Sequence, residues 1–320
     1  MKTLLSLAAA AALTLLAGTA GAADYPAKTI RLIAPYPPGG QTDIVARLVA
    51  DPLSAALGQP VVVENKPGGN GIIGHDYVAK AAPDGYTLLV GNSAMLSVMP
   101  NLTKTPFDPR KDFAPVVLAA GGPLVLEVNP ALPVTNVQEL IALAKAKPGQ
   151  LNNGMGSLGT IHHLLTELIR TQAGVEWANV PYKGAGPMLV DLVSGQVDFA
   201  VDNTSSSAAF LKSGRLRPIA VSRRTDFLPG VPSLAEQGIT GAEALAWHGI
   251  LAPAGTPPEV VGRLNAELVK ILNAPQSRDK LKDLGLDLIA SSPAEFQAFI
   301  DAENTRWAEV VRVSGARIEQ

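Results

Sequence analysis

The sequence predicts an α/β protein of two domains, in which parallel-type sheets are flanked by helices. Short β-branched runs alternate with helical patterns of apolar residues, as is typical of parallel α/β sheets. Even without the leader described below, the chain of 320 residues exceeds what one hydrophobic core usually serves. One unit also recurs at residues 30–58 and 151–174: an apolar strand, a glycine-rich turn, a threonine and an amphipathic helix.

The elements of the first half follow from apolar periodicity and from the glycine and proline positions. They are strands at 30–34, 61–64 and 86–90, and helices at 42–57 and near 72–81. Residues 101–114 are rich in Pro, Asp and Lys, which predicts an irregular segment. The apolar run at 115–128 is interrupted by Gly121, Gly122 and Pro123, which predicts a strand that bends between domains.

The second half is interpreted in the same way. A helix start follows Val134, further helices begin near Pro187 and Ser205, and strands are predicted at 176–180, 197–201, 218–222 and 249–251. Two long helices, 258–273 and 293–313, complete the chain. Crossings near 118–122 and 219–223 then predict a discontinuous domain 1, residues 23–120 with 224–320, and a continuous domain 2, residues 121–223.

The first 22 residues have the pattern of a secretory signal peptide. Lys2 precedes an apolar run at 4–17, and the small residues Ala20, Gly21 and Ala22 predict cleavage near Ala22. The run is shorter than the roughly 20 residues that span a bilayer. The chain contains no cysteine, so neither a lipid-attachment cysteine nor a disulfide is expected. These features predict a soluble, exported protein.

Composition narrows the class of partner. The formal net charge is −2 and the pI is about 6.1, which offers no basis for nucleic-acid binding. Aromatic residues make up only 5% of the chain, so a stacking platform for sugars or bases is less expected than a polar pocket lined by backbone.

The two glycine-rich turns predict anion sites. Gly39 and Gly40 precede Thr42, and Gly159 precedes Thr160, each at a helix start where unpaired N–H groups and the helix dipole favour an anion. A threonine there is also a favoured helix cap. Polar loops follow the predicted strands at 35–43, 91–93, 154–160, 181–184 and 202–205 and should converge on one cleft. This pattern favours a small carboxylate ligand.

Nucleotide and metal sites fit the sequence less well. Two GxGxxG patterns occur, but the acidic residue expected about 20 positions after the second is Glu176, which begins its strand rather than ending it. His162 and His163 are neighbours on a helix and point about 100° apart, so they do not chelate one metal ion. We expect no cofactor and no metal.

An exported serine esterase is the competing enzyme class, with Ser93 or Ser157 as the nucleophile. Neither serine has the GxSxG context of a nucleophile elbow, because Met95 and Met155 replace the required glycines. We therefore expect no catalytic residues and no enzymatic activity.

Four polar residues each have two interpretations. Asp43 either pins its loop or accepts a hydrogen bond from a ligand, and Asp202, at a strand end, has the same alternatives. His163 lies one turn into the second anion helix, where it either reaches a ligand oxygen or bonds a neighbouring loop. Lys183 either pairs with a carboxylate or is solvated.

Several motifs together resemble the Bug family, the periplasmic solute-binding proteins associated with tripartite tricarboxylate transporters. They extend over essentially the whole chain after the leader and read PYPPGGQTDIVAR, ENKPGGNGIIG, NVPYKGAGPMLVDLVSGQVDFAVDN, GRLRPIAV and GILAPAGTPPEVVGRLNAEL. The resemblance implies a two-domain Venus-flytrap fold without enzymatic activity. It also implies a carboxylate held mainly by backbone N–H groups and ordered water in an interdomain cleft.

Carried over by position, the resemblance implies one set of ligand-binding residues: Pro38, Gly39, Gly40, Thr42, Asp43, Asn92, Ser93, Gly159, Thr160, His163, Tyr182, Lys183, Asp202 and Asn203. The implied partners are a small organic acid and integral membrane transporter subunits, and we expect a monomer in the periplasm. Met155 and the apolar stretch after Asn92 depart from the family pattern and disfavour a tricarboxylate. A sensor subunit that presents its ligand to a signalling partner is the remaining alternative.

Overall fold

Ten strands form one mixed sheet in the computed structural model, which describes residues 25–156 and 159–316. The predicted signal peptide, residues 1–22, and its cleavage site near Ala22 lie outside the described residues. The strands are β1 (Ile30–Ala34), β2 (Val61–Asn65), β3 (Thr87–Asn92), β4 (Phe113–Val128), β5 (Asn152–Met155), β6 (Ala178–Pro181), β7 (Phe199–Asn203), β8 (Arg217–Val221), β9 (Leu245–Pro253) and β10 (Asp287–Leu288).

Helices connect and cover these strands. In the same described ranges they are α1 (Gln41–Leu57), α2 (Ile72–Ala79), α3 (Met99–Leu102), α4 (Val137–Ala146), α5 (Ile161–Ala173), α6 (Ala185–Ser194), α7 (Thr204–Lys212), α8 (Pro258–Asn273), α9 (Pro275–Asp283) and α10 (Pro293–Ser314). None of the helices in this part of the chain combines the length and apolarity needed to cross a bilayer.

Strand β4 joins two halves of the sheet. Its residues 113–123 pair antiparallel with β9, and its residues 124–128 pair antiparallel with β7. We call β2, β1, β3, β9, β10 and the beginning of β4 the first sheet, and the end of β4 with β7, β8, β5 and β6 the second sheet. The outer strands of each sheet pair in parallel, as predicted, whereas β4 and β9 make the sheets mixed.

The predicted break in the apolar run is a place of close approach inside one continuous strand. A Cβ on Gly121 would lie 2.4 Å from Leu245 Cδ2, and a Cβ on Gly122 would lie 2.7 Å from the Gly285 carbonyl oxygen. Both glycines are therefore needed for β9 and the α9–β10 turn to pack against β4. Here the strand leaves the first sheet and enters the second.

Each sheet has an apolar core, and α10 contacts both. Val45 and Val49 of α1 pack on the first sheet, and Leu164 of α5 packs on the second. Phe296, near the start of α10, belongs to a cluster on the first sheet, whereas Trp307 belongs to the core of the second. The last helix thus spans the two sheets.

Several elements differ from the sequence prediction. Helix α2 ends at Ala79, and β9 extends over Leu245–Pro253 rather than residues 249–251. The sequence predicts a short helix after Ser93, and the chain is helical from Ala94 to Leu102. The predictions omitted α9 and β10, which are short and lack a distinctive apolar period. Helix α8 begins and ends where predicted.

Candidate functional site

A cavity of about 770 Å³ lies between the ends of the two sheets. The first sheet contributes the loop after β1, the end of β3, part of β9 and the end of α9; the second contributes the starts of α5 and α7. Its lining residues are Tyr36, Pro37, Pro38, Gly40, Gln41, Thr42, Asn92, Ala94, Thr160, Asn203, Ser205, Ser206, His248, Asp283 and Leu284. We call this cavity the cleft.

The cleft contains some of the predicted site residues and leaves others outside. Those that line it are Pro38, Gly40, Thr42, Asn92, Thr160 and Asn203. The predicted residues that are not among those that line it are Gly39, Asp43, Ser93, Gly159, His163, Tyr182, Lys183 and Asp202. Of these, Gly39, Ser93 and Gly159 are each next to a lining residue in the chain.

Asp43 holds the loop that leads into α1. Its buried carboxylate accepts hydrogen bonds from the Gly39 N–H at 3.0 Å, from Arg47 Nε at 3.0 Å and from Asn65 Nδ2 at 2.9 Å. The bond from Arg47 is the main reason why its pKa falls to about 2. Because its oxygens are already engaged, Asp43 supports the loop.

The two helix starts at the cleft are not capped by side chains. Gly40 is the N-cap of α1 and Thr160 the N-cap of α5, and neither helix has a side-chain cap bond. Thr42, predicted as a cap, lies inside the first turn of α1. These starts therefore present backbone N–H groups and positive helix dipoles toward the cleft.

Asn92 presents a donor from the first sheet. Its Oδ1 accepts the Met95 N–H at 3.2 Å and the Tyr36 hydroxyl at 3.4 Å. A backbone N–H can only donate, so this atom is the amide oxygen. Its Nδ2 group has no hydrogen-bond partner among residues 25–156 and 159–316.

Asn203 presents a donor from the second sheet. Its Oδ1 lies 3.2 Å from His162 Nε2, and His162 Nδ1 lies 3.4 Å from Thr160 Oγ1. Burial lowers the pKa of His162 to about 4, so the ring is neutral at neutral pH and carries one N–H. With that hydrogen on Nε2, His162 donates to Asn203 and accepts from Thr160, which turns the Asn203 Nδ2 group toward the cleft.

The two adjacent histidines of α5 have different partners. His163 is buried, and its Nδ1 accepts the Gly159 N–H at 3.3 Å. His162 instead bonds two side chains that line the cleft. Its position two residues after Thr160, in the first turn of α5, is the signal that could have identified it.

His248 and Gln41 line the cleft without having been predicted. His248 lies in β9 opposite Asn92, is buried, and has a pKa lowered to about 4 by that burial. Within the described residues its Nδ1 has no hydrogen-bond partner. Gln41, the first residue of α1, donates to Ser205 and to the Leu284 carbonyl. Gln41 lies in the loop 35–43 that was expected at the cleft, but it was not among the predicted binding residues. His248 lies inside a strand, so the expectation that site residues follow strand ends did not select it.

Tyr182, Lys183 and Asp202 belong to the second sheet and its loops. The Tyr182 hydroxyl donates to Asp191 at 2.8 Å, and Lys183 is exposed. Both follow β6, the edge strand, and neither is among the residues that line the cleft, although their loop hydrogen-bonds to the loop after β5. Asp202 is buried beneath α7, where burial raises its pKa to about 7.

The chemistry of the cleft is that of neutral donors. No lysine or arginine is among the described residues that line it, and Asp283 contributes its one carboxylate. In the same part of the chain no three His, Cys, Asp or Glu residues are grouped as metal ligands. The cleft can therefore bind an anion through helix N-termini, carboxamides and hydroxyls, without forming an ion pair.

Comparison with known proteins gives consistent results. Residues 45–315 match the family model described as tripartite tricarboxylate transporter family receptor. Protein BugT of Bordetella pertussis is 39% identical over 311 residues, which are 95% of this chain and 94% of BugT.

Solved structures agree with the fold. A protein of R. palustris solved with adipate has a TM-score of 0.78 and 39% identity, covering 92% of this chain and 100% of that chain. MatC from Rhodopseudomonas palustris with bound malate has a TM-score of 0.75 and 32% identity, covering 90% of this chain and 100% of that chain. These likenesses confirm the predicted two-domain α/β fold of periplasmic binding proteins. The chain belongs to the tripartite tricarboxylate transporter receptor family.

Proposed function

We propose that this protein is a periplasmic receptor that captures a small organic carboxylate in the cleft and delivers it to the membrane subunits of a tripartite tricarboxylate transporter. One observation carries the proposal: two uncapped helix starts, one from each sheet, face the same cavity. A carboxylate is the small anion whose two oxygens suit such donors.

The class of ligand follows from the lining and the relatives. Two structures similar to this chain hold adipate and malate, which are both dicarboxylates. Neutral donors on both sides of the cleft suit a mono- or dicarboxylate, and the absence of Lys and Arg among its described lining residues disfavours a third negative charge. Adipate and malate are therefore the first probes.

The proposed ligand contacts come from both sides of the cleft. We assign the direct contacts to Gly40, Thr42 and Asn92 on one side and to Thr160 and Asn203 on the other. Asp43 and His162 support these contacts from behind. No catalytic residue is assigned.

Closure around the ligand would use the two predicted crossings. We assign residues 23–120 with 224–320 to one domain and 121–223 to the other, with hinges near 118–122 and 219–223. Strand β4 changes sheets at residues 123–124, which supports the first hinge. The segment after β8 pairs with Val221 at Ser233 before the chain enters β9 at Leu245. The receptor would act as a monomer, after cleavage near Ala22.

A binding screen tests the proposal. The protein without residues 1–22 is purified and its thermal unfolding is measured with a panel of organic acids that includes adipate and malate. A ligand at a hundredfold excess over its dissociation constant stabilises the folded state by about 2.7 kcal/mol. Titration calorimetry then measures the affinity.

The matched control is a ligand that lacks the negative charges of adipate but keeps its carbon chain. Dimethyl adipate has the same carbon chain as adipate but no carboxylate, so we expect no binding. Equal affinity for the diester, or no stabilisation by any acid, would contradict the proposed function.

A further inference from the structure

Gln41 forms hydrogen bonds to both sides of the cleft. Its Nε2 donates to Ser205 Oγ at 3.1 Å and to the Leu284 carbonyl oxygen at 3.2 Å. Gln41 begins α1, which follows β1 of the first sheet, and Leu284 lies between α9 and β10 of the same sheet. Ser205 lies in the first turn of α7, which follows β7 of the second sheet. One amide group therefore connects the two sides.

The geometry fixes this amide through protein groups alone. The amide carries two hydrogens, and each has an acceptor. The bond to Leu284 holds Gln41 to its own side, so its second hydrogen is directed across the cleft at Ser205. A side chain held in this way loses little further rotamer entropy when the cross-cleft bond forms.

A second contact fixes Ser205 from the same side. Gly285 has a φ of +67°, and a Cβ added there would lie 2.7 Å from Ser205 Cβ and 3.1 Å from its Cα. The turn of Leu284 and Gly285 therefore packs directly on the first turn of α7. Ser205 is contacted by a hydrogen bond from Gln41 and by the backbone of this turn.

We propose that Gln41 is a positioning residue that fastens the closed arrangement of the cleft through Ser205, in the empty as well as in the loaded receptor. This inference rests on the proposed function, since it assumes that closure is what creates the binding-competent state. No ligand takes part in the Gln41 bonds, so they stabilise closure whatever the cleft contains.

Loss of the Gln41 bond should therefore weaken the binding of every ligand by the same factor. The apparent dissociation constant of a ligand is its intrinsic value divided by the fraction of receptor that is binding-competent. Loss of the Gln41 bond lowers that fraction and weakens all ligands equally. The net worth of one hydrogen bond corresponds to a weakening of up to about fivefold. A residue that touched the ligand would instead change the affinities of different ligands by different factors.

The first experiment needs no ligand. The chain has no cysteine, so Val62→Cys with Val190→Cys gives one spin label on each side. Both valines are exposed, at 46% and 61%; Val62 lies in β2 of the first sheet and Val190 in α6 on the second. Pulsed electron paramagnetic resonance then measures the distance distribution between the labels.

We expect Gln41→Ala to move population from shorter to longer distances in the empty protein. Ser205→Ala should do the same, and the double variant should add nothing further, because both changes remove one bond. Gln297→Ala is the matched control: its Nε2 also donates a hydrogen bond, to Asp301 Oδ1 at 3.2 Å, but within α10 and outside the cleft lining. An unchanged distribution in Gln41→Ala would overturn the proposal.

The second experiment uses adipate and malate as probes. The proposal predicts that Gln41→Ala weakens the binding of both acids by the same factor, and that adding Ser205→Ala weakens neither further. If the two acids are weakened by different factors and the double variant weakens them further, Gln41 contacts the ligand directly and the proposal is overturned. If neither acid binds the unmodified protein, the two tightest-binding acids of the screen replace them as probes. The distance measurement on the empty protein still decides the role of Gln41.

Discussion

His162 shows how a residue outside the cleft sets the chemistry inside it. Its neutral ring lies between Thr160 and Asn203, and its N–H fixes which end of the Asn203 amide faces a ligand. We expect His162→Phe to weaken carboxylate binding by about 1 kcal/mol, the net worth of one hydrogen bond. Titration calorimetry with the acid identified in the screen measures the change.

A conservative variant separates orientation from packing. His162→Gln can still donate a hydrogen bond to Asn203 Oδ1 and should recover most of the affinity. Equal affinity in His162→Phe and the unmodified protein would show that Asn203 does not depend on His162.

The two glycines before α1 should respond differently to substitution. Gly40 has φ −78°, which any residue adopts, and a Cβ there would meet only the Pro37 carbonyl oxygen at 3.9 Å. Gly40 therefore does not need the conformational freedom of glycine. Its neighbour Gly39, with φ +91°, is the residue that does.

We expect Gly40→Val to weaken binding while the protein keeps its thermal stability, because the new side chain enters the cleft. Gly39→Val, its matched control, should lower the free energy of unfolding by roughly 1–2 kcal/mol, since a β-branched residue is strained at that φ. Calorimetry and thermal unfolding of both variants check this. The same affinity in Gly40→Val would remove the α1 loop from the ligand site.

The residues of the ligand site were predicted from one rule, that ligands bind beyond the carboxyl ends of parallel strands. Asn92 and Asn203 obey it and line the cleft. His248 breaks the rule because it lies inside β9, an antiparallel strand whose pairing depends on residues far apart in the chain. Tyr182 and Lys183 follow a strand end, but that strand is at the edge of its sheet.

At the scale of elements, β4, β7 and α7 enclose two acidic side chains without a cation. Glu127 of β4 is fully buried, and its Oε1 accepts the Ser207 hydroxyl of α7 at 2.6 Å. Burial is the main reason why the pKa values of Glu127 and Asp202 rise to about 8 and about 7. Glu127 Oε2 and Asp202 Oδ2 have no hydrogen-bond partner among the described residues.

These raised pKa values give stability a defined pH dependence. In the unfolded chain both carboxyls ionise near pH 4, whereas in the folded protein they keep protons up to pH 7–8. Their contribution is fully present below the unfolded pKa and is lost as pH rises through the folded one. We expect the free energy of unfolding to fall by about 4 kcal/mol between pH 6 and pH 9.

The Glu127→Gln variant tests the origin of this slope. Glutamine does not ionise, so the variant should lose stability less steeply above pH 6. The exposed Glu259→Gln change is the control and should leave the slope as it is. Denaturant unfolding at several pH values measures it, and equal slopes in Glu127→Gln and the unmodified protein would contradict the assignment.

Elements with strong local signals were predictable, and their pairing was less so. Helix α8 has a proline in its first turn and a regular apolar face, and both its ends were predicted. Strand β4 was recognised as bending, but its antiparallel pairing with β9 connects residues on opposite sides of a whole domain-sized segment. No local pattern encodes such a contact, so the sheets were predicted as parallel.

At the scale of the whole molecule, the cleft requires both sheets. Gly40 and Asn92 come from one side, and Thr160 and Asn203 come from the other, so neither side alone satisfies a ligand with two acceptor ends. Closure is then a shift between populations, set by contacts that exist only in the closed state. The bonds of Gln41 account for part of that closed population without ligand.

Ligand binding should therefore make the molecule more compact. We expect small-angle scattering to show a smaller radius of gyration when the ligand is added, with thermal stability rising over the same concentration range. Because Gln41→Ala opens the empty receptor, its change on binding should be larger than that of the unmodified protein. A rise in thermal stability without compaction in either protein would indicate a pocket preformed within one domain.

The crystal structure of the complex with the tightest-binding acid tests most directly whether both sides of the cleft hold one carboxylate ligand. We expect one carboxylate at the first turn of α1, within hydrogen-bond distance of its backbone N–H groups, and the remaining acceptor atoms near Thr160 and Asn203. A ligand bound to residues of only one sheet, or bound outside the cleft, would contradict the proposed mechanism.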